Sequence, residues 1–144
     1  MKASNQIKLS FLSRSANEGF ARIAVAAFAA QLDPTVEEIS EIKTAVSEAV
    51  TNCIVHGYRN TLGTIYLTAR IYDNGKLTIT IKDRGQGIED VARAMEPLFT
   101  TGNTEERSGM GFTIMETFMD KVRVRSKPSV GTTVTFTKQI CSKE

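Results

Sequence analysis

Glu48, Asn52 and His56 are spaced four residues apart in a segment whose other positions follow a helical apolar pattern. Side chains four residues apart lie on one face of a helix, so these three would form a polar stripe on an element otherwise suited to burial. A carboxylate beside an amide on such an element costs stability unless it is solvated or binds something. Water could satisfy both groups, and so could a metal ion with its phosphates. The other motifs of the chain favour the metal ion.

Two glycine-containing segments add further chemistry. The segment from Asp83 to Gly87 directly follows a predicted strand, where an aspartate can accept a hydrogen bond from an exocyclic amine such as that of adenine. Its two glycines would let the backbone approach a ligand closely. The segment from Ser108 to Phe112 lies at a predicted loop-to-helix junction, where free N–H groups and the helix dipole favour phosphate. The polar stretch 97–107 between them could close over a bound nucleotide.

Each of these motifs is weak by itself. Asp-x-Gly-x-Gly is more often a turn than a site, and a glutamate four residues before an asparagine usually belongs to a solvated helix face. Their joint occurrence is more specific, because each motif falls at the element boundary where its chemistry could operate. The combination predicts a nucleotide site.

Elements that could position these motifs follow from apolar spacing. Alternation at Ile7, Leu9 and Phe11 predicts a first strand, and a first helix is predicted from about Asn17 to Gln31. We assign its apolar spacing to Phe20, Ile23, Ala24, Ala27 and Phe28. Thr35 to Glu38 has the form of a capping box, which would begin a second helix that ends near Gly57.

The second half of the chain is richer in strands. Alternation over residues 65–71 and 77–81 predicts two strands, joined by a turn at 73–76 whose Asn-Gly pair tolerates positive φ. An irregular segment then leads to a helix from about Met110 to Met119. Two last strands, near 122–124 and 134–136, are joined by a turn through Pro128 and Gly131. This order predicts an α+β fold, with a mixed or mostly antiparallel sheet and helices on one face.

The bulk properties narrow the class of protein. A chain of 144 residues predicts a single domain spanning residues 1–144, and a net charge of +2 argues against direct nucleic-acid or membrane binding. Neither Cys53 nor Cys141 has a metal-type spacing, which indicates two reduced thiols. With no apolar leader or membrane-spanning stretch, we expect a cytoplasmic protein.

The order of the motifs resembles the GHKL group of ATP-binding domains, whose fold is the Bergerat-type two-layer α/β sandwich. Residues 48–52 match the group's N box, 83–87 its first glycine box, 109–111 its second, and 131–133 its third. The segments 48–58, 97–101 and 107–112 are similar to the anti-sigma F factors, stand-alone serine kinases of endospore-forming bacteria. This resemblance covers nearly the whole chain.

The resemblance implies roles for single residues. Asn52 would hold Mg²⁺ against the triphosphate of ATP, Glu48 would be the general base, and Asp83 would bind the adenine amine. The rest of the ATP or ADP site would be formed by Gly85, Gly87, Thr100, Thr101, Arg107, Ser108, Gly109, Met110, Gly111, Thr132 and Thr133. The implied partners are a sporulation sigma factor, which the protein would sequester, and a serine-bearing anti-anti-sigma factor, which would be its substrate.

Three other functions compete with this one. The chain could be a nucleotide-gated binding module in which Glu48 is structural and no phosphate is transferred. A detached ATPase domain of the gyrase or Hsp90 type is disfavoured, since those domains depend on further domains. Autophosphorylation of His56 is also disfavoured, because no helical hairpin precedes it, and a phosphate-side or packing role suits it better.

Arg22 and the first strand raise the question of partners. Arg22 is the only charge between Phe20 and Ala30, and it is either a solvent-facing position or an exposed anchor for a partner protein. The first strand could pair across a two-fold axis and so cover its own edge. We therefore expect a homodimer formed through the first strand and first helix.

Overall fold

The computed structural model describes residues 2–96 and 108–140. Five strands form one sheet: β1 Asn5–Leu12, β2 Thr64–Ile71, β3 Lys76–Asp83, β4 Lys121–Lys127 and β5 Gly131–Gln139. The helices are α1 Ala16–Ala29, α2 Val36–Asn52, α3 Val91–Ala94 and α4 Ser108–Phe118. The strand order is β1-β2-β3-β5-β4, and every described pair is antiparallel.

The helices cover one face of this sheet. Inward positions of the three central strands are apolar and buried, among them Leu67, Ile79 and Phe136. They pack against α2, whose residues Ile42, Val46 and Val50 are fully buried. Because strand side chains alternate between faces, the apolar residues of the central strands meet the helices and the opposite face remains open. The predicted two-layer α+β fold is confirmed.

The buried face of α1 differs from the predicted one. Ala21, Val25, Phe28 and Ala29 are buried, whereas Phe20 and Ile23 are 57% and 59% exposed. The segment is apolar on all sides, so periodicity could not indicate which side packs. The small side chains of Ala21 and Ala29 face inward and leave larger apolar groups in solvent.

The start of α2 is the predicted capping box. The Thr35 hydroxyl accepts a hydrogen bond from the Glu38 amide at 3.0 Å, and the Glu38 carboxylate accepts one from the Thr35 amide at 2.9 Å. Two of the otherwise unpaired N–H groups at the helix N-terminus are thereby satisfied. This reciprocal pair fixes where the helix that carries Glu48 and Asn52 begins.

The end of α2 is not the regular α-helix that we predicted. After Asn52 the chain forms a π-helical turn, Cys53–Gly57, in which the Tyr58 amide donates to the Cys53 carbonyl at 2.9 Å. The wider turn changes the four-residue stacking beyond Asn52, so His56 does not continue the α-helical stripe. It also brings the Gly57 carbonyl to the loop that follows β3.

Two connections add detail that sequence patterns did not give. In the β2–β3 turn only Gly75 has positive φ (+88°), and its amide donates to the Tyr72 carbonyl at 3.0 Å. Asn74 does not need the left-handed conformation, because a three-residue loop places glycine alone there. The short helix α3, begun by the Asp90 side chain, lies in the segment predicted to be irregular. Among the described residues no helix is long and apolar enough to cross a bilayer.

Candidate functional site

A cavity of about 190 Å³ lies where the end of α2 meets β3, β5 and α4. Its walls are partly apolar and its polar groups come from several elements. It is lined by Ala49, Asn52, Cys53, His56, Gly57, Arg59, Ile81, Asp83, Gln86, Gly87, Ile88, Ala94, Phe112, Thr132 and Val134. An apolar hollow with a few convergent polar groups is the usual form of a small-molecule site.

Asp83 is the buried acid of this cavity, with only 3% of its surface exposed. Its carboxylate accepts hydrogen bonds from the Gly85 amide at 2.9 Å, from the Thr132 amide and from the Cys53 thiol. Burial raises the pKa of Asp83, while these three donors act in the opposite direction. The carboxylate is thus held in one orientation at the end of β3.

Cys53 is the partner of Asp83 that sequence analysis missed as a site residue. The thiol is 5% exposed, and burial followed by the Asp83 charge raises its pKa well above the ordinary value. A protonated thiol can donate to the carboxylate, which a thiolate cannot. The apolar spacing of α2 placed Cys53 in the core, but no local signal linked it to a residue 30 positions away.

The loop after β3 is fixed to the π-helical turn by backbone contacts. The Gln86 amide donates to the Gly57 carbonyl at 2.9 Å, and the Gln86 side chain donates to the His56 carbonyl at 2.8 Å. A Cβ at Gly85 would lie 2.0 Å from the Gly57 carbonyl oxygen. Gly85 therefore allows two protein segments to meet, and it is not among the residues that line the cavity.

Gly87 lines the cavity, but protein contacts also explain why it is glycine. Its φ is +76°, and a Cβ there would lie 2.2 Å from the Lys127 carbonyl oxygen. Sequence analysis attributed both glycines to the approach of a ligand. The structure gives each of them a contact within the protein, at the π-helical turn and at the β4–β5 turn.

Glu48 and Asn52 both lie next to Gly111, near the start of α4. A Cβ added to Gly111 would lie 3.4 Å from both the Glu48 Oε1 and the Asn52 Nδ2 atoms. The predicted acid and amide therefore face the same glycine, one helical turn apart. Asn52 also lines the cavity that holds Asp83, so it lies between that cavity and the start of α4.

The residues around Asn52 fit a magnesium ion only if waters and substrate phosphates supply most of its ligands. Among the described residues there is no group of three or more His, Cys, Asp or Glu side chains that could hold a metal. Mg²⁺ commonly takes one or two protein oxygens and completes its shell with waters and substrate phosphates. One amide oxygen from Asn52, which lines the cavity, fits such a site.

The other predicted site residues are dispersed or lie outside the described part. Thr132 lines the cavity, and its hydroxyl lies 2.8 Å from the Ser126 hydroxyl. Ser108, Gly109 and Met110 form the first turn of α4, whereas Thr100, Thr101 and Arg107 are outside the described residues. Arg59, Ile88, Ala94 and Phe112 also line the cavity, and sequence analysis did not select them.

Arg22 lies on α1, away from the cavity lining. Its guanidinium donates to Glu18 at 3.1 Å, one turn earlier, and Glu18 also accepts a hydrogen bond from Ser47 on α2. The side chain is 37% exposed, so it is an ion-paired surface group at the junction of the two helices. Ser47 precedes Glu48, and the contact connects the surface of α1 with the helix that carries the acid.

Comparison with known proteins identifies the family. Residues 11–138 match the model of the histidine kinase-like ATPase domain. A protein of Caldanaerobacter subterraneus subsp. tengcongensis named "Anti-sigma F factor" is 62% identical over 140 residues, which cover 97% of each chain. The chain belongs to the anti-sigma F factor family. Another family member, from Geobacillus stearothermophilus, is 54% identical over 97% of this chain and 96% of its own.

Solved structures show that the anti-sigma F fold is shared with distant relatives. The crystal structure of the RsbU and RsbW domains of a Mycobacterium tuberculosis protein matches with a TM-score of 0.70 at 20% identity. That match covers 95% of this chain and 32% of the other. A blue-light activated histidine kinase of Erythrobacter litoralis matches with a TM-score of 0.59 at 19% identity, over 81% of this chain and 40% of that one. The GHKL resemblance is therefore confirmed, and an ATPase domain of this kind implies nucleotide binding.

Gly85→Ala should mainly lower the stability of the fold, whereas Gly111→Ala should mainly lower the affinity for ADP. Gly85→Ala should destabilise the fold by about 2 kcal/mol or more, because the added methyl overlaps a backbone carbonyl. Gly111→Ala should change stability by less than about 1 kcal/mol and weaken ADP binding, since its methyl enters the space beside Glu48 and Asn52. Urea unfolding and calorimetric titration with ADP measure the two effects. A stable Gly85→Ala protein, or normal ADP affinity in Gly111→Ala, contradicts these assignments.

Asp83→Asn should become relatively more stable as the pH rises. Because the native pKa of Asp83 is raised, the folded protein binds its proton more tightly, and the wild type loses stability above the unfolded pKa of about 3.9. The difference in unfolding free energy, variant minus wild type, should rise with pH through the raised native pKa and then level off. Urea titrations between about pH 3 and pH 8 measure it, with exposed Asp73→Asn as the control for lost charge. A difference that stays constant across this range excludes the raised pKa.

Proposed function

We propose that this protein is an ATP-dependent serine kinase that also sequesters a sporulation sigma factor. The observation that carries the proposal is the placement of Glu48 and Asn52 around Gly111, beside the cavity that holds Asp83. The 62% identity to a protein named anti-sigma F factor, over 97% of each chain, supports a sigma factor as the partner. The site of action would be the cytoplasm, where a sigma factor meets RNA polymerase.

The chemistry divides among three side chains. The Asp83 carboxylate, oriented by the Gly85 amide, would accept the amine of adenine in the cavity. The Asn52 amide would hold Mg²⁺, which neutralises charge on the triphosphate when it is bound. The Glu48 carboxylate would accept the proton of the attacking serine hydroxyl. Positioning is the main contribution of the protein, since phosphoryl transfer depends mostly on alignment and electrostatics.

The positions of Asp83 and Glu48 on different elements suit this division of roles. Asp83 lies at the end of β3 under the π-helical turn, whereas Glu48 lies one turn before Asn52 on α2. The cavity side would take the base, and the Gly111 side would take the phosphates at the start of α4, where the first backbone N–H groups have no partner within the helix. A serine of the anti-anti-sigma protein would then approach from the Glu48 side.

We further propose that the protein is a homodimer formed through α1 and β1. Phe20 and Ile23 expose more than half of their surfaces on α1, and Leu12 at the end of β1 is 46% exposed. In the described part of the chain β1 pairs only with β2, so its outer edge is available to a second copy. Burying this apolar face would remove an exposed patch that a monomer would leave in water.

The kinase proposal predicts a separation of binding from transfer. Glu48→Gln should lower the rate of serine phosphorylation by about a hundredfold or more, because it removes the general base, and leave ADP affinity nearly unchanged. Asn52→Ala should weaken Mg²⁺-dependent ATP binding by about tenfold or more, since the amide ligand is lost. The assay uses radiolabelled ATP and the serine-bearing antagonist captured from sporulating cells. Glu37→Gln, an exposed carboxylate on α2, is the matched control.

A different outcome would favour the second candidate function. If Glu48→Gln and the wild type both fail to label the antagonist while nucleotide changes its affinity, the protein is a nucleotide-gated binding module. The same nucleotide site supports that function, because binding requires Asn52 and Asp83 but no base. Full transfer activity in Glu48→Gln contradicts the assigned base.

The dimer proposal predicts that charges on α1 separate the subunits. Phe20→Glu combined with Ile23→Glu should convert a dimer into a monomer, because each buried apolar contact would be replaced by a charge near the two-fold axis. Val36→Glu changes an apolar residue that is 87% exposed at the start of α2, and it should remain dimeric. Sedimentation at about 10 μM measures the state. A monomeric wild type refutes the dimer.

A further inference from the structure

The open face of the sheet is strongly and uniformly basic. Outward positions on the five strands include eight cationic side chains and no aspartate or glutamate. The cations are Lys8, Arg70, Lys76, Lys82, Lys121, Arg123, Arg125 and Lys127. Surfaces that only need solubility usually intersperse both signs. The complete absence of acidic residues from this face therefore requires a further reason.

The rest of the chain has the opposite charge. The sequence has 18 Lys and Arg and 16 Asp and Glu, so ten basic residues remain against all sixteen acidic ones once the eight on the face are removed. A net charge of +2 thus conceals a formal +8 on the open face and −6 elsewhere. The small net charge was our reason for expecting no direct binding of nucleic acid or membranes, and the charge separation removes that reason.

The strand register arranges these cations on two sides of a trough. Arg123 on β4 lies opposite Thr135 on β5, Thr135 lies opposite Thr80 on β3, and Thr80 lies opposite Thr68 on β2. The neighbouring rows run from Arg125 to Tyr66 and from Lys121 to Arg70 in the same way. Threonine side chains therefore form most of the floor on β5 and β3, where Lys82 is the exception, and longer cationic side chains border it on β4 and at Arg70 of β2. A hollow of about 350 Å³ lies along the β4 side.

Within residues 2–96 and 108–140, the cations that border this trough form no ion pair with an acidic side chain. The ion pairs of Arg22 with Glu18 and of Lys138 with Glu41 both lie away from this face. Arg70 donates to the neutral Gln6 side chain at 2.9 Å. Lysine on the edge strands β1 and β4 would also discourage pairing with another sheet, but that need does not extend to Arg70 and Lys82 on the inner strands β2 and β3.

We propose that this trough binds an acidic α-helix of a partner protein. Strands lie about 4.8 Å apart, so β2 and β4, three spacings apart, are separated by about 14 Å. An α-helix with side chains is about 10–12 Å across, which matches the width between the two cationic borders. Carboxylates on both flanks of such a helix would meet Arg123 and Arg125 on one side and Arg70 on the other.

Other occupants fit the face less well. A second copy of the same face would be repelled by its own charge. Single-stranded nucleic acid needs exposed rings for stacking, but the aromatic ring on this face, Tyr66, lies under the Arg84 guanidinium at 5.0 Å. Anionic membranes bind surfaces that also insert apolar groups, and Leu12 is the one large aliphatic residue at the outward positions of the strands.

Binding of a model helix by the full chain tests the proposal. The probe is a fluorescent, end-capped alanine-based peptide with glutamates on two flanks, and its lysine counterpart is the charge control. Fluorescence anisotropy at about 50 mM salt should detect binding of the glutamate peptide alone. Arg123→Glu combined with Arg125→Glu should weaken that binding by about tenfold or more, and the double glutamine variant by less. Binding should also fall as salt is raised to about 200 mM.

A matched variant tests whether binding depends on the cationic face, and two other probes test whether this face prefers an acidic helix. Arg14→Glu combined with Lys43→Glu makes the same charge change away from the face and should alter affinity by less than about twofold. Circular dichroism confirms that each variant is folded. The proposal is overturned if the glutamate peptide does not bind, or if both double variants weaken it equally. It is also overturned if an RNA oligonucleotide or phosphatidylglycerol vesicles bind this face more tightly than the peptide.

Discussion

The buried carboxylate of Asp83 makes the hydrogen bonds on which the cavity and the elements around it depend. Backbone amides of Gly85 and Thr132 and the thiol of Cys53 donate to it, so one side chain links β3, β5 and the end of α2. A buried charge is tolerated only when such donors replace water. The same donors restrict its orientation, and a fixed acceptor is what recognition of an exocyclic amine requires.

The approach of the π-helical turn to the loop after β3 follows from that arrangement. Gly57 lies against the Asp83 carboxylate, and a Cβ on it would come within 2.7 Å of Oδ2. Gly85 in turn lies against Gly57, so two glycines allow helix and loop to meet above the acid. The Tyr58 hydroxyl completes the junction by accepting from the Arg84 amide at 2.7 Å and donating to the Thr64 carbonyl.

Local patterns in the sequence predicted the parts of the fold that depend on local physics. The capping box at Thr35, the alternating strands and the one-turn spacing of Glu48 and Asn52 are all confirmed as structural features. What could not be predicted depends on distant contacts. Packing against α2 determines which face of α1 is buried. The π-helical turn is held by hydrogen bonds to the loop after β3. The Cys53–Asp83 hydrogen bond joins residues far apart in sequence.

The charge of the open sheet face shows the same limit. Strand periodicity predicts which residues share a face within one strand, but only the register across five strands brings Arg123, Lys8 and Arg70 together. The net charge of the whole chain does not reveal this basic face, because acidic residues elsewhere offset it. The protein therefore has two chemically different sides, a helical side with the cavity that holds Asp83 and a cationic sheet side.

Amide chemical shifts on addition of ADP and Mg²⁺ test the central claim most directly. If the cavity above Asp83 is the nucleotide site, the largest shifts will be those of Gly87, Phe112 and Thr132, which line it on the loop after β3, on α4 and on β5. Amides of the open face, such as those of Arg123 and Thr135, should change little. Shifts concentrated on that open face, or no shifts at saturating ADP, would contradict the account.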